Sequence, residues 1–258
     1  MSWSVVAFTH RGLVRSSNED ATAIAGRILT GDMDHVHHRH VDGDNCLLMA
    51  ADGMGGHTHG ALASKTVLDH LITGAEHLLE PQSAAAAVDA ANARLYAMMA
   101  EHPETEGMGT TVVGAVLSAQ SVLVFNVGDS RCYRAAKGEL SQLSQDDVAS
   151  TAKDAFGHRQ SHAITQCLGG IPFQLPLSPH ITVHPPLVVG ETLLLCSDGL
   201  TDMVDDEAIA HLLTCDASRL ADAVRKVAGA AMKAGGADNL SIIAARTMHS
   251  SPIAQRDL

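Results

Sequence analysis

A chain of 258 residues, 46% of them apolar, can bury one large core or two small ones, and at 3% aromatic content that core has to be aliphatic. The net charge of −12, with no Lys/Arg-rich stripe to offset it, excludes a nucleic-acid binder. The five cysteines (Cys46, Cys132, Cys167, Cys196, Cys215) are scattered without CxxC spacing, as expected of thiols in a reducing compartment.

Along the chain, residues 3–8 form a short apolar run and 20–29 a second candidate strand. A polar, His-rich stretch over 32–45 reads as a loop, and 46–51 is an apolar run that stops at Asp52-Gly53. Residues 61–80 have the period of a helix, with Leu68, Leu71, Ile72, Ala75 and Leu79 on one face. Ser83 is the expected cap of a second helix reaching about residue 102. Two hairpins follow, 110–117 with 121–127, and 131–135 with 139–143 around Lys137-Gly138. Residues 144–162 are polar and aperiodic. A buried strand over 192–197 again ends in Asp-Gly. Asp205 opens a short helix, 217–234 is a longer one closed by Gly235-Gly236, and 240–246 is the last strand.

Neither repeat nor linker interrupts this order, so one domain over 1–258 is expected, with a frayed tail from about 249. Hairpins imply antiparallel sheets. Two central sheets flanked by helix pairs, a four-layer αββα sandwich, would bury every apolar face. The N-terminus has no signal-peptide pattern and no apolar run is long enough to span a membrane, so a cytoplasmic protein is expected.

The positions of the acids carry the chemistry. Asp52, Asp129 and Asp198 each follow an apolar strand, whereas Glu19-Asp20 and Asp238 each precede one. In antiparallel sheets the end of one strand lies beside the start of the next, so these carboxylates can gather at one edge. Asp-Gly alone is ordinary turn chemistry; delivered repeatedly to the same edge, it asks for a countercharge. Two carboxylates about 4 Å apart repel by about 4 kcal/mol at an effective dielectric near 20. Hard divalent cations such as Mg²⁺ or Mn²⁺ relieve that with oxygen ligands only, and a pair of them can clamp an in-line displacement at phosphorus.

The segments RGLVRSSNED, AADGMGGH, GMGTT, NVGDSR, ITQCLGG, LLLCSDGLTDMV and GADNLSIIAAR occur in the order and rough spacing of the type-2C (PPM) metal-dependent protein phosphatases. The chain resembles the bacterial branch of that family from Thr9 to Arg246. The resemblance implies a protein serine/threonine phosphatase that uses Mn²⁺ or Mg²⁺, two ions with room for a third, and a metal-bridging hydroxide as nucleophile. It implies that Asp52 bridges the metals, that the Gly53 carbonyl binds one, and that Asp198 and Asp238 complete the other. Glu19 and Asp20 would hold metal-bound waters, Asp129 a third ion, and Arg15 the substrate phosphate. Asn239 would orient the site, with Thr110 and Thr111 in packing and turn roles. Expected partners are phosphoprotein substrates and an opposing Ser/Thr kinase, with no nucleic acid and no membrane, the enzyme itself being a monomer. The rival readings are a phosphatase-like sensor module and a hydrolase of small phosphate esters.

Two departures from the family pattern stand out. Met54 occupies the position where many members have a histidine proposed as general acid, which leaves His57 or water for that task. Asp146-Asp147-Val148 replaces Asp-His-Ser, and only a short flap precedes Ile164. The tract of His35, His37, His38 and His40 reads as a solvated loop remote from the acids.

Overall fold

The computed structural model describes residues 1–55, 59–149, 163–214 and 219–248. The first half contains β1 (Ser2–His10), β2 (Ala21–Ile24), β3 (Arg27–Thr30), β4 (His37–Asp42), β5 (Asn45–Ala51) and β6 (Gly53–Met54). Helices α1 (His59–Thr73) and α2 (Pro81–Glu101) come next. Then follow β7 (Gly109–Thr110), β8 (Val112–Ser118), β9 (Val122–Val127), β10 (Arg131–Ala136) and β11 (Glu139–Gln142). The last part contains β12 (Leu168–Gly169), β13 (His180–His184), β14 (Thr192–Cys196), α3 (Asp198–Thr201), α4 (Asp206–Thr214), α5 (Leu220–Lys233) and β15 (Leu240–Thr247).

Two six-stranded antiparallel sheets dominate, in the orders β11-β10-β14-β15-β1-β4 and β13-β9-β8-β5-β2-β3, with a small third sheet β12-β7-β6. The alternation of side chains along each strand builds the layers. Trp3, Val5 and Ala7 of β1 enter the core between the sheets with Leu48, Ala115, Leu195 and Ile243. Val6 points the other way, joining Leu194, Val224 and Val227 under α4 and α5. On the opposite side Leu68, Leu71, Val88 and Leu95 of α1 and α2 cover the second sheet. This is the αββα sandwich expected from the order of elements, and among the described residues its core is aliphatic apart from Trp3, Phe125 and Tyr133.

Several boundaries differ from the sequence reading. The run 20–29 is two strands, because Ala25 (φ 45°) and Gly26 (φ 82°) form a tight hairpin turn with both central residues left-handed. The helix expected to reach residue 80 stops at Thr73; Gly74 ends it and 75–79 continues as a 3-10 turn. Ser83 does not cap α2: the cap position is Glu80, and Pro81 supplies the preset first turn. The hairpin begun at 110 is divided into β7 and β8, since Thr110 pairs with Gly53 in the small sheet. The His tract is not a loop: His37–Asp42 is an edge strand paired to β1, with His40 opposite Ser4. The strand His180–His184, paired to β9, gave no sequence signal because its residues are half polar and its outer face is exposed. The tail from 249 lies outside the described residues.

Gly114 on β8 lies under the ring of Phe125 on β9, and a Cβ there would collide with the ring atoms. Gly114→Ala should therefore lower stability by about 1–3 kcal/mol in urea unfolding, the usual cost of overpacking. In a double-mutant cycle, Phe125→Leu should recover part of that loss.

Candidate functional site

The carboxylates meet because of strand order. Asp52 follows β5, Asp129 follows β9 and Asp198 follows β14, while Glu19-Asp20 leads into β2 and Asp238 into β15. The structure brings Glu19, Asp52, Asp129, Asp198 and Asp238 to a single cleft of about 330 Å³, with Arg15, Gly53, Met54, Thr111 and Asn239 also on its walls. Asp20 lies behind the wall, almost fully buried.

Several of these acids are placed by hydrogen bonds to their backbone or to their neighbours. The Asp52 carbonyl accepts from Thr111 N (2.9 Å) and Thr110 Oγ1 (2.8 Å), and Asp52 N donates to Thr111 Oγ1 (3.1 Å). Thr110 and Thr111 thus fix the Asp52 backbone, a more specific task than packing. Asn239 Oδ1 accepts from Glu19 N (2.7 Å), and its Nδ2 donates to the carbonyls of Arg11 (3.1 Å) and Ser17 (2.9 Å). This ties the segment leading to β15 to the one leading to β2. Ser197 Oγ donates to Asp20 Oδ2 (2.8 Å). Gly53 and Gly60 touch backbone to backbone, and a Cβ on Gly60 would collide with Glu19 Oε2. Only glycine admits that approach.

Sequence reasoning missed Ser197 and Asp147. Asp147 Oδ2 accepts from Gly128 N (2.8 Å) and Gln166 Nε2 (2.9 Å), while its Oδ1 lies 2.8 Å from His180 Nε2. Asp147 therefore pins the turn that presents Asp129. Its neighbour Asp146 binds Arg131 through two hydrogen bonds of 2.9 and 2.6 Å to one oxygen. The aperiodic stretch after residue 143 is thus organised by side chains, which leave no periodic trace. His57 lies outside the described residues.

Electrostatics show how closely the acids press on one another. Burial first, then Asp20, Asp198, Asp238 and Asp129, hold the Asp52 carboxyl well above its ordinary range. Burial followed by Asp129, Asp202 and Asp238 pushes Asp198 up to about 8. Asp20 rises to about 6, through burial opposed by hydrogen bonds from Ser241 and Ser197. Asp20 Oδ1 and Asp198 Oδ1 are buried without a hydrogen-bond partner. Arg15 Nη2 donates to Asp238 Oδ2 at 2.6 Å, and the guanidinium stays more than half exposed at the mouth of the cleft.

Among the described residues no three His, Cys, Asp or Glu side chains close into a finished metal cage. The donor chemistry nevertheless fits hard cations: the five acids on the wall offer only oxygen, and the buried Oδ1 atoms of Asp198 and of Asp20 behind it have no hydrogen-bond partner.

The αββα sandwich that carries this acid-lined cleft is shared with solved bacterial serine/threonine phosphatases. The chain belongs to the protein phosphatase 2C family, whose sequence profile matches residues 31–240. It is 31% identical over 255 residues to the serine/threonine protein phosphatase PstP of Mycobacterium tuberculosis, a match covering 93% of this chain and 44% of that protein. The chain thus spans about half the length of that relative. The serine/threonine phosphatase Stp of Listeria welshimeri is 27% identical, with 91% of this chain and 92% of that protein covered. The crystal structure of the PstP catalytic domain in complex with two manganese ions superposes with a TM-score of 0.74 at 30% identity, covering 96% of this chain and 100% of that one.

The raised acids give the metal-free protein a defined pH dependence. Asp20 and Asp198 titrate near 6 and 8 when folded, against about 4 when unfolded. The folded state then binds more protons than the unfolded state between about pH 4 and pH 8, so stability falls as pH rises through that window. Thermal melts in chelator should show a higher Tm at pH 5 than at pH 8. Mn²⁺ should raise the pH 8 value most, and Asp198→Asn should flatten the slope.

Proposed function

We propose that this chain hydrolyses phosphoserine and phosphothreonine in proteins, using divalent cations held by the acidic cleft. The observation that carries this reading is a cleft lined by five acidic side chains, with buried, unpartnered carboxylate oxygens of Asp198 on its wall and Asp20 behind it, found in a chain of the protein phosphatase 2C family. A relative's structure in complex with two manganese ions supports the same cofactor here. Asp52, the Gly53 carbonyl, Asp198 and Asp238 would hold two Mn²⁺ or Mg²⁺ ions; Asp129 would serve a third, and Glu19 and Asp20 would act through water. When bound, such cations supply charge neutralisation, Lewis acidity and an activated water.

The chain's own residues do the rest. Arg15 sits at the mouth with its planar donors exposed, suited to two oxygens of a phosphate. Thr110, Thr111 and Asn239 hold the acid-bearing backbone still, so the site needs little reorganisation when substrate arrives. Met54 faces the cleft, but its thioether has no proton for the leaving oxygen. We assign that task to water or to His57. The same proposal places the protein in the cytoplasm, acting as a monomer opposite a Ser/Thr kinase; four unpaired cysteines among the described residues support a reducing location.

Chelation should abolish hydrolysis of a phosphothreonine peptide, and added Mn²⁺ or Mg²⁺ should restore it. Asp198→Asn and Asp238→Asn should each reduce kcat at limiting metal by at least about tenfold, or about 1.4 kcal/mol, with an unchanged circular dichroism spectrum. Full turnover in a verified metal-free preparation would refute the reading, while activity confined to small aryl esters would make the enzyme an ester hydrolase.

Arg15→Ala tests the phosphate contact separately. We expect kcat/KM for the peptide to fall at least about tenfold. An unchanged ratio would leave Arg15 as a partner of Asp238 alone.

A further inference from the structure

The edge strand β4 carries a second constellation of metal-binding side chains. His38 and His40 are exposed and point to the same side of the strand, since the intervening Arg39 and the following Val41 alternate with them and Val41 enters the core between the sheets. Their ring centroids are 4.6 Å apart, with the planes inclined at 64°. Just past the end of β15, Met248 N donates to Ser2 O at 2.9 Å, which brings the Met248 side chain across β1 toward β4. There Met248 Sδ lies 3.1 Å from His40 Nδ1. Ser4 Oγ, on the intervening strand, lies 2.9 Å from His38 Nε2.

We propose that His38, His40 and Met248 form a site for a soft monovalent transition-metal ion, Cu(I) in particular, separate from the acidic cleft. The thioether is a soft donor that favours Cu(I), the two imidazoles also suit copper, and the set contains no carboxylate to favour Mg²⁺ or Mn²⁺. Asp42, the nearest acid along the strand, is already bound to Ser2 Oγ at 2.5 Å. The Ser4 hydroxyl occupies one nitrogen of His38 and so fixes the ring while leaving the other nitrogen for metal, a common arrangement for a ligating histidine. Partial burial, then His40 and His37, lower the His38 pKa, which keeps this imidazole neutral and available near pH 7.

The site lies away from the phosphatase chemistry. His40 is opposite Ser4, whereas the cleft end of β1 is His10, paired to Leu240. Six residues of strand separate them, about 20 Å. A bound ion would clamp the end of β15 to β4 across β1 and so stabilise the edge of the sheet without entering the cleft.

The test is an anaerobic Cu(I) titration of the protein, with accessible thiols alkylated, against a coloured Cu(I) chelator. Wild type should retain one equivalent and melt at a higher temperature when loaded, whereas His40→Ala and Met248→Leu should each bind at least tenfold more weakly. Silver(I), a diamagnetic stand-in, should shift the ring resonances of His38 and His40 and leave hydrolysis of a phosphothreonine peptide in Mn²⁺ unchanged. Met248→Leu preserves bulk and apolarity, so its fold should match wild type by circular dichroism. Equal Cu(I) affinity in wild type and both variants would overturn the proposal by placing the ion elsewhere. Absence of uptake would overturn it outright, and tighter binding of Zn²⁺ than of Cu(I) would overturn the soft-metal assignment.

Discussion

Repulsion among buried carboxylates is the constraint on which the rest of this molecule depends. Asp20, Asp52 and Asp198 are held where burial, with repulsion from neighbouring acids, favours the protonated form, opposed at Asp20 by hydrogen bonds from Ser241 and Ser197. A single pair of charges about 4 Å apart costs about 4 kcal/mol at an effective dielectric near 20, a large share of the roughly 5–15 kcal/mol by which a domain is stable. A loose scaffold would relax and let the acids separate into solvent. Two packed sheets with helices on both outer faces give them no such freedom.

The support is local as well as global. Thr110 and Thr111 hold the backbone of Asp52, Asn239 joins the segments before β2 and β15, and Asp147 pins the turn that carries Asp129. The bonds from Thr110, Thr111 and Asn239 engage backbone groups of the acid-bearing segments and none of their carboxylates. Asp20 Oδ1 and Asp198 Oδ1 are buried and unpartnered, a condition a protein tolerates where a cation belongs. Stability is given up at the cleft and regained in the three apolar layers. Among the described residues Arg15 is the one cationic side chain on the cleft wall, and its bond to Asp238 offsets part of the repulsion.

Legibility in the sequence followed periodicity. Strands with a continuous apolar run, such as β5, β9 and β14, could be read directly, and so could α5 with its apolar stripe. Elements whose identity rests on a partner could not. The histidines of β4 look like a solvated loop because the strand lies at a sheet edge and most of its residues remain at least partly exposed. β13 hid for the same reason. Gly74 and the Ala25-Gly26 turn divided elements that the apolar pattern alone had joined.

The sequence by itself determined the layered fold, the candidate carboxylates and the family they point to, because strand-terminal acids and glycines sit at fixed offsets from apolar runs. Only the tertiary structure decided which groups support them. Ser197 against Asp20, separated by 177 positions, and Asp147 against Gly128 are contacts between side chains or turns with no period to mark them. The same holds for His40 and Met248, 208 residues apart in the chain and 3.1 Å apart in space. Local pattern records what a residue needs from its own strand or helix; its partner across the sheet is set by register, which exists only once the strands have paired.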